Sequence, residues 1–202
     1  MRRGKEIPAK FVSCEGEFCQ EQSEDCVSPI YLVPVGHIDE EVLRQVAILL
    51  EGKFPYPCTV GRRMELPPEA FNVERSQFLA TTILEEMKSL FSPDPLKTLG
   101  VTDVDLYVPD LNFVFGLADV SGPVAVISVC RLRQEFYGLE CDEDLFRSRM
   151  AKEATHELGH SFGLAHCQNP KCVMSFSNSL VDTDRKGEDF CTDCQKKINL
   201  QR

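Results

Sequence analysis

Apolar and polar positions change their spacing several times along the chain, and each change predicts an element. Ile30-Tyr31-Leu32-Val33-Pro34-Val35 is a short apolar run closed by Gly36, as expected of a buried strand. From Asp39 to Glu51, Val42, Val46, Leu49 and Leu50 recur at helical intervals, with Asp39 placed as the N-cap. Cys58-Thr59-Val60 predicts a second strand. Ser76 to Phe91 predicts a second amphipathic helix, with Phe78, Leu79, Ile83, Leu84 and Met87 apolar. Val101 to Val108, Asn112 to Ala118 and Val124 to Val129 predict three further strands, the last two joined around Ser121-Gly122-Pro123. A long helix should follow from about Asp142 to Leu164. Phe146, Met150, Ala154 and Leu158 form its buried stripe, while Arg149, Lys152, Glu153, His156 and His160 lie on a side turned away from the core.

Helices alternating with strands favour right-handed crossovers and parallel pairing, and the short connection at Gly122 favours an antiparallel hairpin. The expected fold is α/β with a twisted mixed sheet. Residues 29–202 read as one domain. Residues 1–28, a basic start followed by an acidic stretch, read as an N-terminal extension.

Composition narrows the function classes. With 43% apolar and 27% charged residues, the 202-residue chain reads as a soluble globular protein. Lys plus Arg total 22 against 32 Asp plus Glu, a net charge of −10 that makes a poor nucleic-acid binder. No apolar run approaches the roughly 18 residues that cross a bilayer. The basic start has no apolar segment behind it, so it does not read as a secretory signal. The expectation is a cytoplasmic monomer without nucleic-acid or membrane partners. Ten cysteines then point to reduced thiols and metal sites more than to a disulfide frame.

The chemistry concentrates in His156-Glu157-Leu158-Gly159-His160-Ser161-Phe162-Gly163-Leu164-Ala165-His166. Two histidines four apart on a helix reach one ion, and Glu157 reaches a water on that ion without ligating it. Gly163 is placed to stop the helix in the left-handed conformation and return His166 as a third ligand. Three neutral imidazoles leave one position open, the pattern of a catalytic zinc. Three of the chain's four histidines lie here. The fourth, His37, reads as solvated or locally hydrogen-bonded.

Cys167, Cys172, Cys191 and Cys194 form two thiol pairs separated by a loop. That spacing suits a closed four-sulfur structural zinc, giving two zinc ions per chain. Two disulfides, a redox Cys-x-x-Cys or a zinc-ribbon module are the competing readings; the acidic run Asp182, Asp184, Glu188 and Asp189 argues against the last. Cys14, Cys19 and Cys26 have no fourth ligand at useful spacing and read as free thiols.

The extended histidine motif resembles the metzincin class of zinc metallopeptidases, in which a methionine-bearing turn passes beneath the metal. Cys172-Val173-Met174-Ser175 is the corresponding candidate, and Phe176 stands where many metzincins carry a tyrosine. Joined to His166-Cys167, Cys172-Val173-Met174 and Cys191…Cys194, the pattern is similar to one metzincin family, the archaemetzincins. Leu111-Asn112-Phe113-Val114-Phe115-Gly116 and Arg131-Leu132-Arg133-Gln134-Glu135-Phe136-Tyr137-Gly138 also look like that family, extending the resemblance over about 29–200. It implies a compact metzincin domain with a backing helix and an active-site helix, and zinc-dependent hydrolysis of peptide or protein substrates with Glu157 as general base. An extended substrate would bind a sheet edge between Asn112 and Val129. Competing expectations are a zinc-stabilised scaffold with little peptidase activity, and a hydrolase of a non-peptide amide or ester.

Overall fold

The computed structural model describes residues 28–91, 97–120 and 122–198, so the cysteines at 14, 19 and 26 lie outside the described residues. Thirteen helices and strands make up the described chain: β1 (Ile30–Pro34), α1 (Glu40–Glu51), β2 (Cys58–Val60), β3 (Phe71–Asn72), β4 (Gln77–Leu79), α2 (Ala80–Phe91), β5 (Lys97–Thr102), β6 (Leu106–Tyr107), β7 (Gly116–Ala118), β8 (Val124–Ser128), α3 (Glu143–Ser161), α4 (Leu180–Arg185) and α5 (Thr192–Ile198). Short 3-10 turns connect some of them.

The principal sheet has the order β2-β1-β5-β8-β7. Every neighbouring pair is parallel except β7 with β8, whose hairpin about Gly122 gives the sheet its mixed character. Side chains alternate across it. Leu32, Leu99, Val101 and Ile127 pack towards α1 and α3; Val33, Val35, Val124 and Val126 pack towards α2. Completely burying each such side chain contributes about 1.5–3 kcal/mol. The middle of β5 is Gly100 because a Cβ there would sit 2.6 Å from the sulfur of Met87 on α2.

α1 forms as expected. The Asp39 carboxylate accepts from the Glu41 amide at 2.8 Å, and Val42, Leu43, Val46 and Leu50 are buried. Three expectations are corrected. The helix expected from Ser76 starts at Ala80, because Ser76 has φ of +53° and ends a tight turn, so that Gln77–Leu79 pairs as β4 in a second sheet of order β3-β4-β6. The strand expected over Val101–Val108 is divided: β5 ends at Thr102, the chain bends, and β6 joins the second sheet. Asp105 holds that bend, its carboxylate taking both Nε and Nη2 of Arg131 at 2.6 and 2.7 Å. The strand expected over Asn112–Ala118 is reduced to β7, because the carbonyls of Leu111 and Asn112 are taken by the Arg75 guanidinium.

The largest correction concerns α3. Its polar side is not turned away from the core. Arg149, Lys152, Glu153, His156 and Glu157 are all buried, so the helix is enclosed almost all round. Buried charges need partners. Asp184 takes Arg149 through two bonds of 2.7 Å, and Lys186 lies 3.0 Å from Glu153. Both partners come from the segment carrying α4, which closes over the helix.

Candidate active site and thiol cluster

Three local features bring the histidines together. α3 carries His156 and His160 one turn apart, with Asp142 capping its start through the Leu145 amide at 2.9 Å. Gly163 adopts φ of +88° just past the helix end, the left-handed conformation expected there. The chain then reverses, and Cys167 donates its amide to Met174 O at 2.8 Å, fixing His166 opposite the helix. The ligand nitrogens of His156, His160 and His166 all lie within 4.8 Å of one another.

Hydrogen bonding sets the tautomers. His156 Nδ1 donates to Val173 O at 2.8 Å and His160 Nδ1 to Leu164 O at 2.7 Å. Their Nε2 atoms therefore carry lone pairs, and these face one another at 3.1 Å. Two such lone pairs repel unless a cation lies between them. A tetrahedral zinc with bonds of about 2.0–2.1 Å places its nitrogens about 3.3 Å apart, so the donor set fits that ion. Burial pushes His156 well below the ordinary imidazole range, and lowers His160 and His166 as well, with the Lys186 ammonium adding to each. Neutral rings are the form a metal requires.

Glu157 is buried beside His156, and burial pushes its carboxyl up to about 8, reinforced by Glu153 and opposed by Lys186. β7 runs past it as the edge strand. A Cβ on Gly116 would meet Glu157 Cγ at 2.5 Å and the Val126 carbonyl at 2.7 Å, so only glycine lets strand and carboxylate approach this closely. Gly116→Ala is expected to displace Glu157 and to reduce turnover about tenfold or more while the zinc content stays unchanged, since overpacking costs about 1–3 kcal/mol. Steady-state kinetics beside metal analysis checks this, and unaltered turnover would refute it.

Met174 lies fully buried below the histidines, and Gly159 makes room for it: a Cβ there would sit 2.4 Å from the Met174 sulfur. Phe176 is exposed, its ring edge-on to His166 at 5.0 Å. The cleft above the histidines has a volume of about 280 Å³ and is walled by β7 and residues 176–178. His37 lies exposed and outside this cluster.

The sulfurs of Cys167, Cys172, Cys191 and Cys194 also lie within 4.8 Å of one another. All four are free thiols, and Cys167 Sγ to Cys191 Sγ is 3.8 Å, far beyond a disulfide bond of about 2.05 Å. Four thiolates around zinc at about 2.3 Å stand about 3.8 Å apart, so this donor set fits too. The Cys194 amide helps draw the Cys191 thiol down to about 7, whereas burial raises Cys172 and Cys194. Cys191 and Cys194 flank the start of α5 with no preceding strand, unlike a thioredoxin-type motif.

Sequence reasoning passed over Gly116, Gly159, Lys186 and Thr183. Thr183 Oγ1 donates to Glu153 Oε1 at 3.0 Å, completing a buried cluster one helical turn before Glu157. Lys186 approaches the same oxygen as an ion pair without an aligned hydrogen bond. The one available signal was the stack of Arg149, Glu153 and Glu157 at four-residue intervals on α3, charges that a buried helix carries only with partners.

A mixed sheet, an active-site helix ended by a left-handed glycine, three converging imidazoles and a methionine turn below them define a zinc metallopeptidase of the metzincin class. The family model of Peptidase family M54 matches residues 31–200. An archaemetzincin of Methanocaldococcus jannaschii is 45% identical over 172 residues, spanning 84% of this chain and 92% of that relative. One from Pyrococcus abyssi is 44% identical over 181 residues, spanning 86% and 96%. The crystal structure of archaemetzincin from Archaeoglobus fulgidus, complexed with malonate, superposes with a TM-score of 0.73 at 38% identity and covers 84% of this chain and 99% of that one. That of Methanopyrus kandleri gives 0.75 at 36% identity, covering 88% and 97%. The chain belongs to peptidase family M54, the archaemetzincins.

Proposed function

We propose that this zinc metallopeptidase holds two zinc ions: one on His156, His160 and His166 for catalysis, the other on Cys167, Cys172, Cys191 and Cys194 as a structural clasp. The observation that carries the first assignment is the pair of lone-pair nitrogens facing at 3.1 Å, each ring held by a backbone carbonyl. When bound, the catalytic zinc supplies Lewis acidity, lowering the pKa of a water towards about 7 and polarising a carbonyl.

The chain's own residues do the rest. A cation held on the neighbouring histidines would favour the ionised form of Glu157, which then takes the proton of the attacking water on its carboxylate as the new C–O bond forms at the scissile carbonyl. It then delivers that proton to the departing nitrogen as the C–N bond breaks, and the second water proton passes from the new carboxylic acid to the amine, leaving a carboxylate and an ammonium group. β7 provides the sheet edge for the substrate. Its ladder to β8 uses Phe115 and Asp119 on the inner side, so the backbone groups of Gly116 and Ala118 point outward, free to pair with an extended peptide.

No helix among the described residues is long and apolar enough to cross a membrane. The seven described cysteines are all free thiols, which supports a reducing, cytoplasmic setting. The acidic charge favours a peptide substrate over nucleic acid, with the protein acting as a monomer.

Glu157→Gln is expected to lose about 10²–10⁴-fold in kcat and to keep the catalytic zinc. Turnover of a fluorogenic peptide beside metal content per chain tests this. If zinc is lost along with activity, Glu157 is not the general base.

A further inference from the structure

The four clustered thiols are not equally placed. Cys172 and Cys194 are buried, 1% and 4% exposed, whereas Cys167 and Cys191 are only half-buried. The inner sulfur of Cys172 is also occupied, accepting the Cys191 amide at 3.3 Å. The outer sulfurs of Cys167 and Cys191 stand 3.8 Å apart, on segments separated by 24 residues in the chain.

This outer pair adjoins the catalytic histidine with the fewest anchors. His156 and His160 are each fixed by a backbone carbonyl through Nδ1. Among the described residues, no hydrogen bond from the rest of the chain holds the ring of His166, which is exposed and packs edge-on to Phe176. Its place is set by the backbone at Cys167, whose amide donates to Met174 O at 2.8 Å. Whatever moves Cys167 therefore moves the third imidazole.

We infer that Cys167 and Cys191 form a site of reversible oxidation by peroxide, and that their disulfide withdraws His166 from the catalytic cluster. The inference rests on the two-zinc reading, on which both sulfurs are thiolates, the form that peroxide oxidises. One sulfur attacks the peroxide: an S–O bond forms, the O–O bond breaks, and the departing hydroxide takes a proton to become water. The other sulfur then attacks the sulfenic sulfur. The S–S bond forms, the S–O bond breaks, and a second hydroxide leaves and is protonated to water. Two electrons pass from the sulfur pair to the peroxide. The sulfurs close from 3.8 Å to about 2.05 Å, which pulls on the residue next to His166. Two of the four thiolates are consumed, so the clasp no longer holds its ion. A dithiol takes over the disulfide by exchange and returns both thiols.

The test treats the zinc-loaded full chain with hydrogen peroxide. Zinc release is read with a chromogenic chelator, the linkage by mass spectrometry after alkylation of free thiols, and turnover with a fluorogenic peptide. About one zinc per chain should leave as Cys167 and Cys191 become linked. A second, slower release should follow as the histidine cluster loses its third ligand. Turnover should fall at least about tenfold, because a displacement of about 1 Å at a catalytic group costs up to about a hundredfold. Dithiothreitol with added zinc should restore all three readouts. A variant carrying Cys14→Ser, Cys19→Ser, Cys26→Ser and Cys141→Ser keeps the pair and should respond as the wild type does. No release under peroxide, a different linkage, a response lost in that variant, or a Cys167–Cys191 linkage that leaves the histidine ion and turnover unchanged overturns the inference, and the two-zinc reading stands. A zinc-loaded chain that holds only one ion before any peroxide is added overturns the two-zinc reading, and the switch falls with it.

Discussion

Replacing Cys194 with serine is expected to lower the zinc content from two ions per chain to one and the melting temperature by more than about 10 °C. The side chain is buried and its sulfur is one of four within 4.8 Å. Structural zinc contributes about 10–16 kcal/mol in small zinc-folded peptides, as much as the whole stability of an ordinary domain, about 5–15 kcal/mol. Even half of that, about 5–8 kcal/mol, at about 2–4 °C per kcal/mol for a chain of this size, gives the stated shift. Activity should fall too, because Cys167 follows His166 directly and the Val173 carbonyl that orients His156 lies beside Cys172. Metal analysis and a thermal melt on the same preparation decide it. A variant that keeps both ions and melts like the wild type would show that Cys194 does not hold the second ion.

Lys186→Met should cost about 3–5 kcal/mol, the penalty for leaving a buried carboxylate without its partner. Glu153 and Lys186 are 2% and 3% exposed, and the surroundings offer Glu153 only the Thr183 hydroxyl besides. The informative comparison is the double variant Glu153→Gln/Lys186→Met. Removing both charges takes away the attraction together with the desolvation cost, so the double variant should recover most of the loss. Urea unfolding of zinc-loaded wild type, single and double variants measures this. A single variant within about 1 kcal/mol of wild type, or a double variant no better than the single, would contradict the buried pair.

The elements legible in the sequence are those whose signals are local. Asp39 before a run of helical spacing gave α1, the run at Ile30 gave β1, and His156, His160, Gly163 and His166 gave the histidine cluster of the candidate site, because residues within one helix and one turn carry their own geometry. What sequence pattern missed depends on residues far away. β5 begins with Lys97-Thr98, polar residues buried or half-buried in mid-sheet, and its Gly100 is explained only by Met87 packing from the opposite face. β4 looked helical because Phe78, Leu79, Ile83 and Leu84 keep helical spacing; the turn at Ser76 and the pairing to Leu106 override it. The burial of Arg149 and Glu153 escaped notice because Asp184 and Lys186, more than thirty residues on, lie in a run that reads as a solvated acidic loop.

The junction of His166 and Cys167 has a consequence for biosynthesis. On the two-zinc reading, the turn presenting the third imidazole is clasped by Cys191 and Cys194, which leave the ribosome some twenty-five residues later. A nascent chain halted between those points has all three histidines and Glu157 but lacks half of the thiols that would clasp the turn. On the two-zinc reading, hydrolytic competence thus waits until Cys191 and Cys194 have been made.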